Sequence, residues 1–322
     1  MRTLRYVTCD VFTSTPFTGN QLAVVFGAEG LPTETLQAIT REFNYSESVF
    51  VFAPESPSHT RKIRIFTPAR ELPFAGHPTI GCAHALVALG QVPTHGDEAT
   101  VILGEGVGPV AVRVRLESGA PVHAQLTVAV PPEERDSVPS IESLAETLSL
   151  APDDFTGGTM RPAGVSCGIP FLIVPLKTVS AVRRARVVMT AWDAHLRDTW
   201  ASEPMVFTMT SRDARSSDPT VPAEHVQGCD VRARVFVPGL SVPEDPATGS
   251  ANACLAAYLA ARTPASETPR DGVLRWEVAQ GVEMGRPSRL SIEATKRGGV
   301  VESIRVGGST VMVNEGTMTL RG

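Results

Sequence analysis

The sequence has little that would suit it to a membrane or to a nucleic acid. Its apolar runs are too short and too often interrupted to reach the about 20 residues that a membrane-spanning helix needs. The chain carries 34 acidic and 29 basic residues, a net charge of -5, and no dense run of Lys or Arg. We therefore expect neither a membrane nor a nucleic acid as a partner.

Motifs for disulfides, metals and nucleotides are also absent. The five cysteines are odd in number and form no CxxC pair, and the seven histidines form no HxH, HxxxH or HExxH pattern. No P-loop or GxSxG motif occurs, and Gly104 to Gly108 lacks the strand–helix context of a dinucleotide fingerprint. We expect reduced thiols, no metal site and no nucleotide-binding motif. Because no signal-peptide pattern precedes the first strand-like residues, we also expect a cytoplasmic protein.

The chain has 322 residues, of which 42% are hydrophobic, and its length suggests about two domains. Hydrophobic periodicity and Gly/Pro turns predict mixed helices and strands. The predicted strands cover residues 3–12, 21–26, 48–52, 99–116 (a hairpin), 124–130, 162–176, 231–237 and 310–320 (two short strands around 314–316). The predicted helices cover 32–43 and 140–150, a linker lies within 118–140, and 210–230 reads as a long surface loop.

Two stretches share a more specific pattern, in which a Gly/Pro turn enters an apolar, Ala-rich helix. The first runs from Arg64 to Leu86 and the second from Pro243 to Ala260. Such a helix start leaves backbone N–H groups free and favours negative charge. In the first stretch, Pro78 suits the first helical turn, and we expect Thr79 to satisfy one of the free N–H groups.

A Gly turn followed by an alternating strand comes after each of these helices, at 104–114 and at 281–292. This repetition predicts two similar domains that face one another. We expect the last strands to return and complete the sheet of the first domain.

The remaining polar residues favour acid–base chemistry. Glu47 lies where a predicted helix gives way to an apolar strand, and partial desolvation there would raise its pKa into a range useful for moving a proton. The simpler alternative is a solvated turn residue. Asp245 and His77 lie in the two helix-entry turns, where a helix cap and a structural hydrogen-bonding group are the corresponding alternatives.

Seven pieces of the sequence together resemble the phenazine-biosynthesis (PhzF-like) isomerase family, which has the diaminopimelate-epimerase fold. These pieces span nearly the whole chain in the family's order. They are Asp10–Thr13, Pro16–Asn20, Asn44–Ser48, Arg64–Pro68, Glu71–Thr79, Glu244–Asn252 and Gln280–Ser288.

The resemblance implies an α+β fold of two pseudo-symmetric domains, each a mostly antiparallel sheet or barrel rolled around a central helix, with the active site between them. The first domain would comprise residues 1–122 completed by strands 309–322, and the second residues 123–308. The resemblance further implies a cofactor- and metal-independent isomerase and a homodimer. Its substrate would be a small carboxylate-bearing cyclic, amino or hydroxy acid.

The residue roles that the resemblance implies are specific. Glu47 matches the general acid/base of the family. His77, Asp245 and Ser250 match residues that hold and polarise the substrate, and the amides of Gly76 and Gly249 would lie near its carboxylate.

Two alternative functions remain open from the sequence. One is a non-catalytic family member that binds a small molecule. The other is a racemase or epimerase with two opposed thiols, but the matching positions hold Ala75 and Thr248. Cys82 and Cys254 lie further along the Ala-rich helices, where we expect them to pack as small apolar residues.

The chain departs from the family pattern in two places. Gln21 replaces a common Pro, and residues 190–230 match no family piece. An unmatched segment of this kind would shape the pocket, which leaves the identity of the substrate open.

Overall fold

The computed structural model describes residues 1–210, 226–240, 242–263 and 270–320. The chain divides into two compact units: Met1–Thr127 with Gly307–Gly322 form the first, and Val128–Val306 form the second. Each unit is a β-sheet with a few helices, and the prediction of a sheet-dominated α+β fold is confirmed.

In the part of the first unit that the structure describes, there are nine strands and two α-helices. The strands are β1 (Arg2–Val11), β2 (Asn20–Phe26), β3 (Glu47–Phe52), β4 (Arg61–Phe66), β5 (Glu71–Leu72), β6 (Glu98–Glu105), β7 (Gly108–Glu117), β8 (Ala120–Thr127) and β18 (Thr310–Leu320). The helices are α1 (Thr33–Phe43) and α2 (Gly76–Ala88). Asn44 ends α1 in the left-handed conformation that Asn tolerates, so the chain turns directly towards β3.

The described residues of the second unit form nine strands and four α-helices. Its strands are β9 (Glu133–Arg135), β10 (Ala163–Ser166), β11 (Pro170–Pro175), β12 (Pro204–Met209), β13 (Val231–Val237), β14 (Val242–Asp245), β15 (Gly272–Gln280), β16 (Ser288–Arg297) and β17 (Val300–Gly308), which ends at the unit boundary. Its helices are α3 (Ile141–Leu148), α4 (Val179–Arg184), α5 (Met189–His195) and α6 (Gly249–Arg262).

The two units repeat one strand-pairing pattern in the same order. In the first unit β1 and β2 are antiparallel, β2 and β3 parallel, β3 and β4 antiparallel, and β4 pairs antiparallel with β5 and parallel with β6. In the second unit β10 to β15 pair in the same sequence of directions. A further antiparallel strand follows in each case, β7 after β6 and β16 after β15. The predicted internal repeat is therefore present in the topology.

One helix lies at the centre of each repeat. In α2 every residue from His77 to Val87 is buried, and in α6 nearly every residue is buried. The helix packs closely on its sheet, since a Cβ on Gly81 would lie 2.6 Å from Val11 and 2.7 Å from Leu22. Helices that are apolar all round are stable only when enclosed in this way.

Several predicted elements differ from the observed ones. The strand expected at 124–130 runs instead from Ala120 to Thr127, and 162–176 holds two strands, β10 and β11. Residues 310–320 form one strand instead of two, because β18 pairs with β1 along its whole length through a single register shift at Thr8/Cys9. Most of the predicted loop 210–230 lies outside the described residues. None of the helices in the described part of the chain has the length and hydrophobicity needed to cross a bilayer.

Candidate active site

Glu47 and His77 come together in the first unit. Glu47 is the first residue of β3, directly after the turn that follows α1, and His77 lies in the first turn of α2. His77 Nε2 is 3.5 Å from Glu47 Oε2, with side chains 5% and 17% exposed, respectively. The carboxyl group is therefore mostly withdrawn from water while remaining accessible at one edge.

Asn20 fixes the orientation of the His77 ring. The hydroxyl of Ser46 donates to Asn20 Oδ1 at 2.9 Å, which turns the amide Nδ2 towards His77 Nδ1 at 3.3 Å. His77 Nε2, the other ring nitrogen, is the atom that faces Glu47. The sequence predictions gave Asn20 no role in the site. The signal that could have identified it is its place in the Pro16–Asn20 family piece.

The imidazole of His77 is neutral. Burial lowers its pKa to about 3, outweighing a contact with the Gln21 backbone that acts in the opposite direction. A neutral ring beside a carboxylate adds no fixed positive charge that would suppress its basicity. The pair is thus a mostly buried carboxyl group beside a neutral imidazole.

The start of α2 lacks a side-chain cap among the described residues. Ala75 occupies the N-cap position in an extended conformation and has no side-chain acceptor. The expectation that Thr79 satisfies a free N–H is wrong, because its hydroxyl donates to the Ala75 carbonyl at 2.7 Å and lies 2.7 Å from Glu105 Oε1. The first-turn amides, including that of Gly76, are consequently available for an anion.

In the second unit, Asp245 ends β14 just before α6. Its Oδ2 accepts a hydrogen bond from the Thr248 hydroxyl at 2.5 Å, and its carbonyl accepts one from Gln280 Nε2 at 2.8 Å. Asn252 donates to Gln280 Oε1 at 2.8 Å, so the turn is anchored to the end of β15. Asp245 is therefore not a helix cap, and its carboxylate is held in a fixed position.

The start of α6 resembles that of α2. Thr248 is the N-cap residue, and its side chain makes no capping hydrogen bond because its hydroxyl donates to Asp245. Gly249 is buried and Ser250 half-buried in the first turn. Asp245, Gly249 and Ser250 thus lie together at an uncapped helix end.

The cysteines lie away from these features. Cys82 and Cys254 are fully buried within α2 and α6, and burial raises the pKa of both thiols well above its usual range. Thiols in such surroundings are inert. The expectation that they pack as apolar residues is confirmed. Among the described residues, no three His, Cys, Asp or Glu side chains converge as a set of metal ligands.

Comparison with known proteins places this architecture in a family. Residues 9–316 match the family model described as phenazine biosynthesis-like protein. The phenazine biosynthesis protein of Bacillus anthracis, a PhzF-family structure, covers 99% of this chain and 100% of its own, with a TM-score of 0.80 and 24% identity. The chain belongs to the phenazine biosynthesis-like (PhzF) family.

Its relatives are named isomerases. An uncharacterized isomerase of Mesorhizobium japonicum is 38% identical over 99% of both chains. The trans-2,3-dihydro-3-hydroxyanthranilate isomerase of Pseudomonas fluorescens is 31% identical over 98% of this chain and 99% of its own. The resemblance noted in the sequence is confirmed, and the chain is a member of an isomerase family.

Proposed function

We propose that this protein is a cofactor- and metal-independent isomerase that moves a proton on a small carboxylate-bearing acid, with Glu47 as the general acid/base. The observation that carries the proposal is the Glu47–His77 pair: a mostly buried carboxyl group faced by a neutral imidazole at 3.5 Å. One carboxyl group of this kind can take a proton from one carbon and return it to another.

Substrate binding is assigned to the two uncapped helix starts. We propose that Gly76 and Gly249 amides bind the carboxylate, and that His77, Asp245 and Ser250 hold and polarise the substrate. Helix N-termini without side-chain caps favour anions. The name of the Pseudomonas fluorescens relative supports a cyclic hydroxy/amino acid as the substrate class. We further propose that the protein is a cytoplasmic homodimer. Light scattering of the purified protein would test the oligomeric state.

Solvent-deuterium incorporation tests the reaction directly. The protein is incubated in deuterated buffer with a panel of cyclic hydroxy and amino acids, and NMR follows exchange at each substrate carbon. We expect exchange at specific carbons with the native protein and none with Glu47→Gln, while Glu47→Gln retains nearly native binding. Glu42→Gln, an exposed carboxyl-to-amide change in α1, is the matched control and should keep full exchange.

The same experiment separates the alternatives. A binding member without catalysis would bind an acid yet exchange no carbon-bound hydrogen in any member of the panel. Full activity in Glu47→Gln would remove Glu47 from the mechanism.

A further inference from the structure

An arginine–glutamate pair lies just ahead of the α2 start in the first unit. Arg64 on β4 grips Glu71 on β5 with two hydrogen bonds, Nε to Oε1 at 2.7 Å and Nη2 to Oε2 at 2.6 Å. The guanidinium also lies over the Phe66 ring, 5.0 Å from its centroid. Bidentate pairs of this type combine strength with a defined geometry.

The second unit contains the same arrangement ahead of α6. Arg234 on β13 binds Glu244 on β14 through Nε to Oε1 and Nη2 to Oε2, both at 2.8 Å, and lies 4.8 Å from the centroid of Phe236. Its remaining nitrogen donates to three backbone carbonyls at the end of α4, those of Val182, Arg183 and Ala185.

Strand register shows that these two pairs occupy equivalent positions. Ile65, which follows Arg64, pairs with Leu72, which follows Glu71, and Val235, which follows Arg234, pairs with Asp245, which follows Glu244. In both units the glutamate precedes the first helical glycine by five residues. We call each set, Arg64–Glu71 and Arg234–Glu244, an Arg–Glu clamp.

Stability alone does not account for the clamp of the second unit. The side chain of Arg234 is 3% exposed and that of Glu244 is 14% exposed. Removing such charges from water costs roughly as much as their attraction returns, so a buried ion pair is a weak source of stability. What a buried bidentate pair supplies is a defined position, and here the residue that follows Glu244 is Asp245.

A neighbouring ion pair holds the other side of the same turn. Arg232, two residues before Arg234 on β13, donates to Glu283 at 2.6 Å. Glu283 follows Gln280, which binds the Asp245 carbonyl. Two arginines on one strand thus fix both segments that meet at the α6 start.

We propose that Arg64 and Arg234 are positioning residues, each of which sets the helix start that follows its clamp. This rests on the proposed function, in which the α6 start and Asp245 bind substrate and His77 at the α2 start faces Glu47. Arg234 accordingly governs substrate binding, and Arg64 governs the placement of His77 and therefore turnover.

Arginine-to-lysine variants test the proposal because they keep the charge but lose the planar two-point grip. Arg262→Lys is the matched control in the second unit. Arg262 also makes a bidentate contact with a glutamate, Glu134, and lies over an aromatic ring, Tyr258, at 3.6 Å, but it is at the far end of α6. Each variant is examined by steady-state kinetics, thermal unfolding and backbone hydrogen–deuterium exchange.

Misplacement of a helix start by about 1 Å is expected to lower kcat/KM by about 100-fold. In Arg234→Lys we expect the lower kcat/KM to arise mainly from a higher KM, with faster exchange of amides 244–252. In Arg64→Lys we expect mainly a lower kcat, with faster exchange of amides 71–79. Arg262→Lys should lower the unfolding temperature without changing KM or the exchange of 244–252.

Equal kinetic and exchange effects in Arg234→Lys and Arg262→Lys would overturn the proposal, since both arginines would then be merely structural. If Arg234→Lys fails to fold, Glu244→Gln breaks the same clamp with a nearly isosteric side chain. If the native protein turns over no acid, the proposed function fails, while the exchange of 244–252 and 71–79 still decides whether the clamps position the helix starts.

Discussion

Glu105 occupies in the first unit the position that Gln280 occupies in the second. Register sets Gly104 opposite Lys62 and Ala279 opposite Arg232, so the next residue along each strand is equivalent. Each bonds to the fourth residue of its central helix, Thr79 or Asn252. In both helices that residue also donates to the carbonyl of the N-cap residue. A carboxyl group and an amide thus perform one structural role.

Glu105 is largely buried beside the Thr79 hydroxyl, which donates to its Oε1 at 2.7 Å. Burial raises the pKa of Glu105 to about 8, against a smaller opposing effect of the Thr79 hydrogen bond. A protonated Glu105 is close to an amide in shape and charge.

Glu105→Gln should therefore flatten the dependence of stability on pH. A carboxyl group whose pKa rises from 4.5 to about 8 on folding costs stability as the pH increases between those values, because the unfolded chain ionises first. An amide in place of the carboxyl group removes that loss of stability. Urea unfolding between pH 4.5 and pH 8 measures the free energy of unfolding, with the exposed Glu34→Gln as control. An unchanged pH slope in Glu105→Gln would show that Glu105 is ionised in the folded protein.

Asn20→Ala should impair turnover more than stability. The change removes the amide that links Ser46 to the His77 ring, so the ring loses a contact that fixes its orientation beside Glu47. We expect kcat to fall by about 100-fold, as for other losses of precise orientation. Asn314→Ala, at an exposed position on β18, is the control for loss of an asparagine amide. Native kcat in Asn20→Ala would mean that the ring keeps its orientation without this contact.

Replacement of the two helix cysteines should leave the reaction intact. Cys82→Ala and Cys254→Ala remove fully buried thiols whose pKa is raised by burial, so no thiolate is lost. We expect a loss of about 1–2 kcal/mol in the free energy of unfolding from poorer packing, and native kcat. Loss of deuterium incorporation in either folded variant would revive the two-thiol racemase as the mechanism.

Gly106→Ala should destabilise the segment that leads into α2. A Cβ at this position would lie 2.8 Å from Pro73 Cα and 3.1 Å from its carbonyl oxygen, both backbone atoms that cannot move alone. We expect a loss of about 1–3 kcal/mol, typical of overpacking. Gly157→Ala is the control, because a Cβ there meets nothing within 4 Å. Equal unfolding temperatures for the two variants would contradict the close approach to Pro73.

Local sequence signals predicted much of this structure. Asn44 and Ser140 are residue types typical of helix ends: Asn44 ends α1, and Ser140 caps α3 by accepting a hydrogen bond from the Ser143 amide. The Ala-rich stretches were expected to be buried helices, as α2 and α6 are. These features depend on residues close together in the chain, which is why pattern reasoning reached them.

Long-range polar contacts were beyond such reasoning. Arg234 reads as an exposed cation in an alternating strand, and only the folded chain brings it to Glu244 and the carbonyls at the end of α4. The prediction that Thr79 caps α2 was wrong because a local pattern cannot reveal its partner Glu105, which is distant in sequence. The pairing of Asn20 with His77 depends on the same kind of tertiary placement.

The pairing of β1 with β18 has a consequence for synthesis on the ribosome. The strand that starts at Arg2 emerges early, but its neighbour from Thr310 to Leu320 is translated only after the whole second unit. The nascent chain must therefore carry an open sheet edge while the later unit, contiguous in sequence, is already free to fold. We expect the nascent chain to depend most on a chaperone during this interval.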